Sequence, residues 1–410
     1  MVENSADRVA AWDPEQDRAG GERGAGSRSS QRLAEYDRLR AQCPVAWSDR
    51  YSGYWTLTRF EDVTAAARDY TNFRSGSPFV AMPDFGSQIP ISLNPPEHTV
   101  FRRLLNKYFT PQRMEALEPV IRGYVVEHLE AVLEAGETDI IAALCQPLPA
   151  RALSALMNLP DSAYTDLVDQ IAGFERMGWD PTQVGAVIFE VFSTHIAKVI
   201  AERRQHPLDP ELDLLGGAMA MEIDGEPLGD DQVLQIGVQM IAAGHATTAD
   251  ALGSSIFRVA TNPDIQMRLR RQPELIPQAV EEFLRIETPL PELGRKAGAD
   301  FEFRGVPLRE GDSVALNYGA ANRDGDVFEH PEACIIDRNP NRHLAFGHGI
   351  HKCLGAPLAR LELRLALEEL LARTGEIELA GRPEVTKGLM LTGFTKLPIK
   401  VTPSPAAHPA

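Results

Sequence analysis

Cys353 is the residue whose surroundings suggest chemistry most directly. It lies near the end of the run His343-Leu344-Ala345-Phe346-Gly347-His348-Gly349-Ile350-His351-Lys352-Cys353-Leu354-Gly355, where a Gly-rich turn delivers a cysteine to the entrance of a helical pattern. A helix N-terminus carries partial positive charge and unpaired backbone N–H groups, and both stabilise a thiolate. Gly349 permits a backbone conformation closed to other residues, and Gly355 lets a flat ligand approach the main chain. Phe346 is expected beside the sulfur, where it keeps water away. The plainer alternative is a buried cysteine acting as a small hydrophobe beside a loop.

Two further groupings stand out. Ala243-Gly244-His245-Ala246-Thr247-Thr248 lies in the middle of a long helical pattern. A glycine there costs about 1 kcal/mol relative to alanine, so it needs a reason. A close ligand supplies one, and close packing between helices supplies another. Glu282-Phe283-Leu284-Arg285 places a carboxylate and a guanidinium at i and i+3 on one helix face, which alone is an ordinary surface pair.

The elements that must position these residues are mostly helical. Helix periodicity is expected near residues 33–39, 61–68, 97–108, 111–135, 150–157, 162–174, 183–205, 278–287 and 354–372. A long helix is expected over 230–261, capped by Asp230 or Asp231. Tyr54-Trp55-Thr56-Leu57 reads as a strand, and residues 300–314 as short strands turning at Arg304-Gly305 and Glu310-Gly311. Residues 75–93 form a long loop rich in Gly, Pro and aromatics, of the kind that often serves as a lid. Residues 322–351 are a second irregular stretch. The fold expected is mainly α with small β-sheets, as a single domain over 31–410 after a flexible lead-in over 1–30.

Composition narrows the partners. The chain has 410 residues, 43% hydrophobic and 24% charged, with a net charge of −17. So acidic a surface disfavours nucleic acid and anionic membranes as partners, save at a local basic patch. The most apolar long window, residues 233–251, is interrupted by Gln235, Gln239, His245 and Asp250, which makes it a buried helix and not a membrane span. Met1–Ser30 lacks the apolar core of a secretory signal. Cys43, Cys145, Cys334 and Cys353 are scattered, suggesting neither a disulfide framework nor a zinc site. The cytoplasm is therefore the expected address.

The loop before Cys353 matches F-x-x-G-x-x-x-C-x-G at every fixed position, through Phe346, Gly349, Cys353 and Gly355. It closely resembles the haem-binding loop of cytochrome P450 enzymes, and the likeness extends over about residues 31–401. That resemblance implies the cytochrome P450 fold, with haem b held between the central long helix and the cysteine-ligand loop. Cys353 would then be the axial thiolate, the metal ligand of the iron, whose electron donation favours O–O cleavage. In the family the E-x-x-R pair is buried and joined by a second arginine, matched here by Arg338, and it holds the proximal side together.

The resemblance also assigns Ala243, Gly244 and Thr247 to an oxygen-binding groove, with Thr247 guiding protons to the oxygen. The family usually carries Asp or Glu before that threonine, and this chain has Ala246. Asp250 is one candidate to substitute through water, with capping of a neighbouring loop as its alternative. His98, Arg102, Arg295 and His351 match positions that hold the haem propionates. His343 is a further candidate, with pairing to backbone as its alternative. Gly347 and Gly355 complete the expected cofactor contacts.

Family topology places substrate contacts at Phe79, Val80, Met82, Phe85, Phe174, Met177, Trp179, Ala242, Leu290, Leu293 and Phe394. Their apolar character predicts a compact, uncharged hydrophobic substrate held by area burial. The resemblance is to soluble bacterial members that oxidise small terpenes and aromatics. It implies a monooxygenase that uses O2 and takes electrons from a separate ferredoxin with its NAD(P)H-dependent reductase. Hydroxylation and O-demethylation both fit. Arg102, Arg103, Lys107, Arg342, Lys352, Arg360 and Arg364 are expected to cluster as the docking patch. Two other readings compete: a peroxygenase driven by hydrogen peroxide, towards which Ala246 leans, and a non-catalytic thiolate-haem protein, in which Thr247 has little purpose.

Overall fold

In a computed structural model of the chain, the described residues are 30–82, 88–159, 181–386 and 391–404. The lead-in at residues 1–29 and the helix expected at 162–174 lie outside them. A helix Ser30–Gln42 opens the described chain.

The helices follow from the spacing of their apolar residues. Helix α1 (Glu97–Asn106) buries His98, Phe101 and Leu105 on one face. Helix α2 (Pro111–Ala135) begins where the Thr110 hydroxyl accepts the Arg113 N–H at 3.3 Å, and Pro111 presets its first turn. Its buried stripe is Met114, Leu117, Ile121, Val125, Leu129 and Val132, and it stops at Gly136, where φ is +68°. Helices α3 (Pro147–Leu156) and α4 (Pro181–Gln205) follow.

The single helix expected over 230–261 is in fact two. Helix α5 (Asp230–Gly244) and helix α6 (Ala246–Thr261) meet at His245. The cap also differs from expectation. Gly229 occupies the N-cap, the Gln232 side chain accepts its N–H at 3.0 Å, and Asp230 pairs with Arg204 instead. Helix α7 (Ile276–Glu287) carries the E-x-x-R pair, and helix α8 (Ala356–Arg373) follows Cys353. Short helices at Leu214–Met219 and Pro263–Arg271 escaped the periodicity.

The core is centred on α6, which is buried continuously from Thr248 to Phe257 and packs against α3, α7 and α8. Helix α8 buries Leu358, Leu361, Leu363, Leu365 and Leu367 and keeps Arg360, Arg364, Glu368 and Glu369 half-buried. A five-stranded sheet runs in the order Val45–Ser48, Tyr54–Leu57, Ser313–Asn317, Glu292–Ala297, Phe73–Arg74. Only the pairing of Tyr54–Leu57 with Ser313–Asn317 is parallel. The sheet and helix Phe60–Arg68 enclose a second core of Leu57, Val63, Ala67, Phe73, Val314 and Leu316. The expected turn at Arg304-Gly305 closes a hairpin in which Phe301 pairs with Leu308. No helix among the described residues is long and apolar enough to cross a membrane.

Candidate functional site

The loop before Cys353 is fixed by its own backbone and by what it rests on. Gly347 and Gly349 have φ of +67° and +70°, a region L side chains rarely adopt. A Cβ on Gly349 would lie 2.0 Å from the Ala67 carbonyl oxygen, so the loop seats directly on helix Phe60–Arg68. Arg68 adds a hydrogen bond from Nε to His348 Nε2 at 2.8 Å. The Cys353 N–H donates to the Phe346 carbonyl at 2.8 Å, closing the turn. Gly355 caps α8, and among the described residues a Cβ there would meet nothing nearer than Phe109 at 4.0 Å, so that side of the main chain is open.

Burial pushes the Cys353 thiol up, while the N–H groups of Gly355 and Ala356 and the guanidiniums of Arg102 and Arg360 draw it down. Cys353 nevertheless keeps accessible surface. Accessible surface on an atom surrounded by protein is what a cavity wall provides.

Behind the loop lies the ion-pair network. Arg285 grips Glu282 with Nε and Nη2 at 2.8 and 2.9 Å, and both side chains are fully buried. Glu282 also accepts from Arg338 Nε, from the Ile335 N–H and from Asn341 Nδ2, at 2.9–3.2 Å. Arg285 spends its remaining donors on the carbonyls of Asn322, Pro331 and Ala333. Asn322, which sequence reasoning missed, accepts the Leu344 N–H at 2.6 Å and so ties this network to the Cys353 loop.

His343 is a correction. Its Nε2 donates to Glu281 at 2.9 Å and its Nδ1 accepts the Ala345 N–H at 3.2 Å, leaving no ring nitrogen for an external anion. Arg360 holds the same carboxylate through two bonds, at 2.7 and 2.8 Å, and lies over the Phe346 ring. Burial pushes the Glu281 carboxyl up, yet Arg360 and His343 hold it down at about 2. His343 therefore braces the loop from the protein side.

His98, Arg102, Arg295 and His351 do converge. The two imidazoles meet edge to face with centroids 4.3 Å apart, and His351 Nε2 lies 2.7 Å from the Ser75 hydroxyl. Ser75 is itself fixed by Asn94, which accepts its N–H at 2.9 Å. Burial, then Arg102 and Arg295, lower His98 to about 4. Burial, then Arg295, His98 and Arg102, lower His351 to about 2. Among the described residues, neither arginine forms a salt bridge. Among those residues, His98 Nε2 and Arg295 Nη2 are buried without hydrogen-bond partners. A cluster of cations and donors with no carboxylate of its own is built for an anionic group, and the two propionates of a haem fit it.

The helix break supplies the third part. Thr247 donates its hydroxyl to the Ala243 carbonyl at 2.8 Å. Ala243 is exposed, and Ala242, Ala246 and Thr247 keep partial exposure between the continuously buried segments 236–241 and 248–257, so this stripe lines a cavity. Gly244 does not face that cavity. A Cβ on it would come within 2.8 Å of Leu153 on α3, so close helix packing explains the glycine. His245 is buried, with Nε2 2.9 Å from the Gln146 carbonyl, and burial lowers it to about 4. Asp250 turns to the C-terminal loop: a Cβ on Gly393 would lie 2.2 Å from its Oδ1. Of its two expected roles, the loop contact is the one seen.

The expected substrate contacts divide. Phe79, Met82, Ala242 and Leu290 remain candidates. Val80 packs with Tyr54 and Ala315, Leu293 packs on the sheet-side core, and Phe394 stacks on Phe257 with centroids 5.0 Å apart. Sheet and core packing claim these three. Phe85, Phe174, Met177 and Trp179 lie outside the described residues. The expected basic patch is thinner than the sequence suggested. Lys107 pairs with Glu211, Arg360 with Glu281, and Arg364 with Glu118 and Glu368, while Arg102 donates to the Lys352 carbonyl. Arg103, Arg342 and Lys352 stay exposed, without ion pairs among the described residues.

The comparisons with known proteins agree with this geometry. Residues 156–374 match the family model for Cytochrome P450. Mycinamicin IV hydroxylase/epoxidase of Micromonospora griseorubida is 33% identical over 359 residues, covering 84% of this chain and 89% of the relative. The solved cytochrome P450 PksS of the bacillaene polyketide synthase from Bacillus subtilis 168 superposes with a TM-score of 0.82 at 30% identity, covering 95% of this chain and all of the other. CYP109E1 from Bacillus megaterium, in complex with testosterone, gives 0.79 at 29% identity, over 90% and 98% of the two chains. With a cysteine at a helix mouth, a carboxylate-free cationic cluster and a threonine at a helix break in place, the chain belongs to the cytochrome P450 family of haem b monooxygenases.

Proposed function

We propose that the protein inserts one oxygen atom from O2 into a small hydrophobic substrate, a terpenoid or an aromatic compound, by hydroxylation or O-demethylation. The observation that carries this reading is the Thr247 hydroxyl, held by the Ala243 carbonyl on the accessible stripe of α5 and α6. Cys353 would hold the haem iron, and His98, Arg102, Arg295 and His351 its propionates. Bound haem supplies the dioxygen chemistry, with O–O cleavage favoured by thiolate donation. Thr247, poised on a groove carbonyl, can pass a hydroxyl proton towards the cavity. The apolar candidates Phe79, Met82, Ala242 and Leu290 would hold substrate by excluding water.

Electrons would come from a ferredoxin docked by exposed Arg103, Arg342 and Lys352 beside the Cys353 loop. A surface groove of about 460 Å³, floored by Phe109, Met114 and Leu361 and edged by Arg360 and Arg364, offers that partner an apolar contact. The four free thiols suit a reducing cytoplasm.

One observation favours a second reading. Ala246 brings no carboxylate to the groove, and Asp250 turns to Gly393, which leans towards a peroxygenase driven by hydrogen peroxide. Turnover of the holoenzyme with a ferredoxin system and with peroxide separates the two. Product formed faster with ferredoxin, and lost on Thr247→Ala while electrons are still consumed, supports the monooxygenase. Faster peroxide turnover, indifferent to Thr247→Ala, overturns it.

A further inference from the structure

We propose that Arg360 and Glu281 together set, by charge, the reduction potential of the haem bound through Cys353. Arg360 supplies the charge, and Glu281 is the positioning residue that places and moderates it. This goes beyond the oxygen-insertion reading and rests on Cys353 being the iron ligand.

The pair is built around one ring. The Arg360 guanidinium lies over the face of Phe346, 4.4 Å from its centroid, and the His343 ring approaches the same phenyl group with centroids 5.9 Å apart. Both neighbours end on Glu281. Arg360 gives it Nε and Nη2 at 2.7 and 2.8 Å, and His343 gives it Nε2 at 2.9 Å. His343 Nδ1 accepts the Ala345 N–H, so the imidazole completes both bonds without a charge. One carboxylate on α7 thus fixes both ring neighbours of Phe346. Phe346 is in turn joined to the ligand residue, since its carbonyl accepts the Cys353 N–H at 2.8 Å.

A brace alone does not need a cation here. A methionine on α8 would cover the Phe346 ring without the cost of desolvating an ion pair. Nor is Arg360 a free docking charge, because two donors of its fork are spent on Glu281. What sets it apart is its reach. Burial raises the Cys353 thiol, and the Gly355 N–H, Arg102, the Ala356 N–H and Arg360 draw it down. A cation that favours the thiolate also favours the reduced iron, which carries one positive charge fewer than the oxidised iron. Glu281 opposes it. Burial would raise its carboxyl, yet Arg360 and His343 hold it at about 2, so its negative charge stays beside the guanidinium. The Arg360 side chain is 39% exposed, and water therefore screens part of the effect.

The test is a dye-mediated redox titration of the holoenzyme at about pH 8, above the ordinary histidine range. Arg360→Met should lower the ferrous-to-ferric ratio at a fixed applied potential about threefold, a fall of about 30 mV at about 59 mV per tenfold. Glu281→Gln should move the ratio the other way by about twofold or more, because it strips the counter-charge and leaves the cation. Arg360→Lys keeps the charge and should recover most of what Arg360→Met loses. Arg373→Met, at the far end of the same helix and paired with Glu369 at 3.0 Å, controls for overall charge and should leave the ratio unchanged.

Opposite signs mark a charge effect, since a loosened loop would shift both variants alike. A shared sign, or a failure of Arg360→Met or Glu281→Gln to move the ratio, overturns the proposal. So does a shift in Arg373→Met as large as that in Arg360→Met. If Glu281→Gln does not fold, the contrast between Arg360→Lys and Arg360→Met decides alone. A ferrous carbonyl adduct without a thiolate-type spectrum in the wild type removes Cys353 as the ligand, and the proposal with it.

Discussion

Glu282 takes hydrogen bonds from Arg285, Arg338, Asn341 and the Ile335 N–H while fully buried. Glu282→Gln leaves buried guanidiniums without their counter-charge, and a cost of about 3–5 kcal/mol is expected. The urea midpoint of the holoprotein would report it. Gly349→Ala should also be severe, since it combines a positive φ with a 2.0 Å approach to the Ala67 carbonyl. Arg295→Gln removes one of the cations that face no carboxylate, so haem should pass to apomyoglobin roughly tenfold faster. Unchanged transfer would mean that Arg295 serves the sheet and not the cofactor. At this scale the sequence was most legible where spacing is local. Cys353 and the Glu282–Arg285 pair declare themselves within a few residues. His343 misled because an imidazole beside the loop reads the same whether it faces a ligand or Glu281, 62 positions away. Asn322 gave no signal, since an amide is unremarkable until its burial is known.

The elements were legible wherever an apolar stripe repeats every three or four residues, as in α2, whose limits matched expectation. The break between α5 and α6 was not, because the hydrophobic period runs on through Gly244 and His245 while the hydrogen bonds change. Helix α8 offers a test at this level. Glu362 is buried there, its Oε2 has no partner among the described residues, and burial raises its carboxyl well above the usual range. The folded protein therefore keeps a proton that the unfolded chain gives up near pH 4.5. Stability should then fall as pH rises above that point, until the folded carboxyl also ionises. Glu362→Gln removes this component. Thermal unfolding from pH 5 to 8 should show a smaller fall in Tm for the variant than for the wild type. Parallel curves would contradict the assignment.

For the whole molecule, the fold class was legible from the preponderance of helical periodicity, whereas the sheet order was not. The parallel pairing of Tyr54–Leu57 with Ser313–Asn317 joins segments too far apart in sequence for local pattern to reveal. Charge sets the last expectation. A chain of net charge −17 that leaves Arg103, Arg342 and Lys352 without ion pairs among the described residues should be reduced by an acidic ferredoxin at a rate that falls steeply with salt. A flat response between about 0.05 and 0.5 M salt would remove docking by charge.

The seat of Gly349 on Ala67 also bears on biosynthesis. The ligand loop lies near the end of the chain, yet it rests on a helix near the beginning, and its cationic neighbours come from α1 and from the strand Glu292–Ala297. A ribosome must therefore release the chain past the Cys353 loop before these parts can meet, and cofactor capture waits for that loop. A nascent chain halted before Cys353 would carry most of the helices and retain no haem. Acquisition of the cofactor thus marks synthesis through the Cys353 loop.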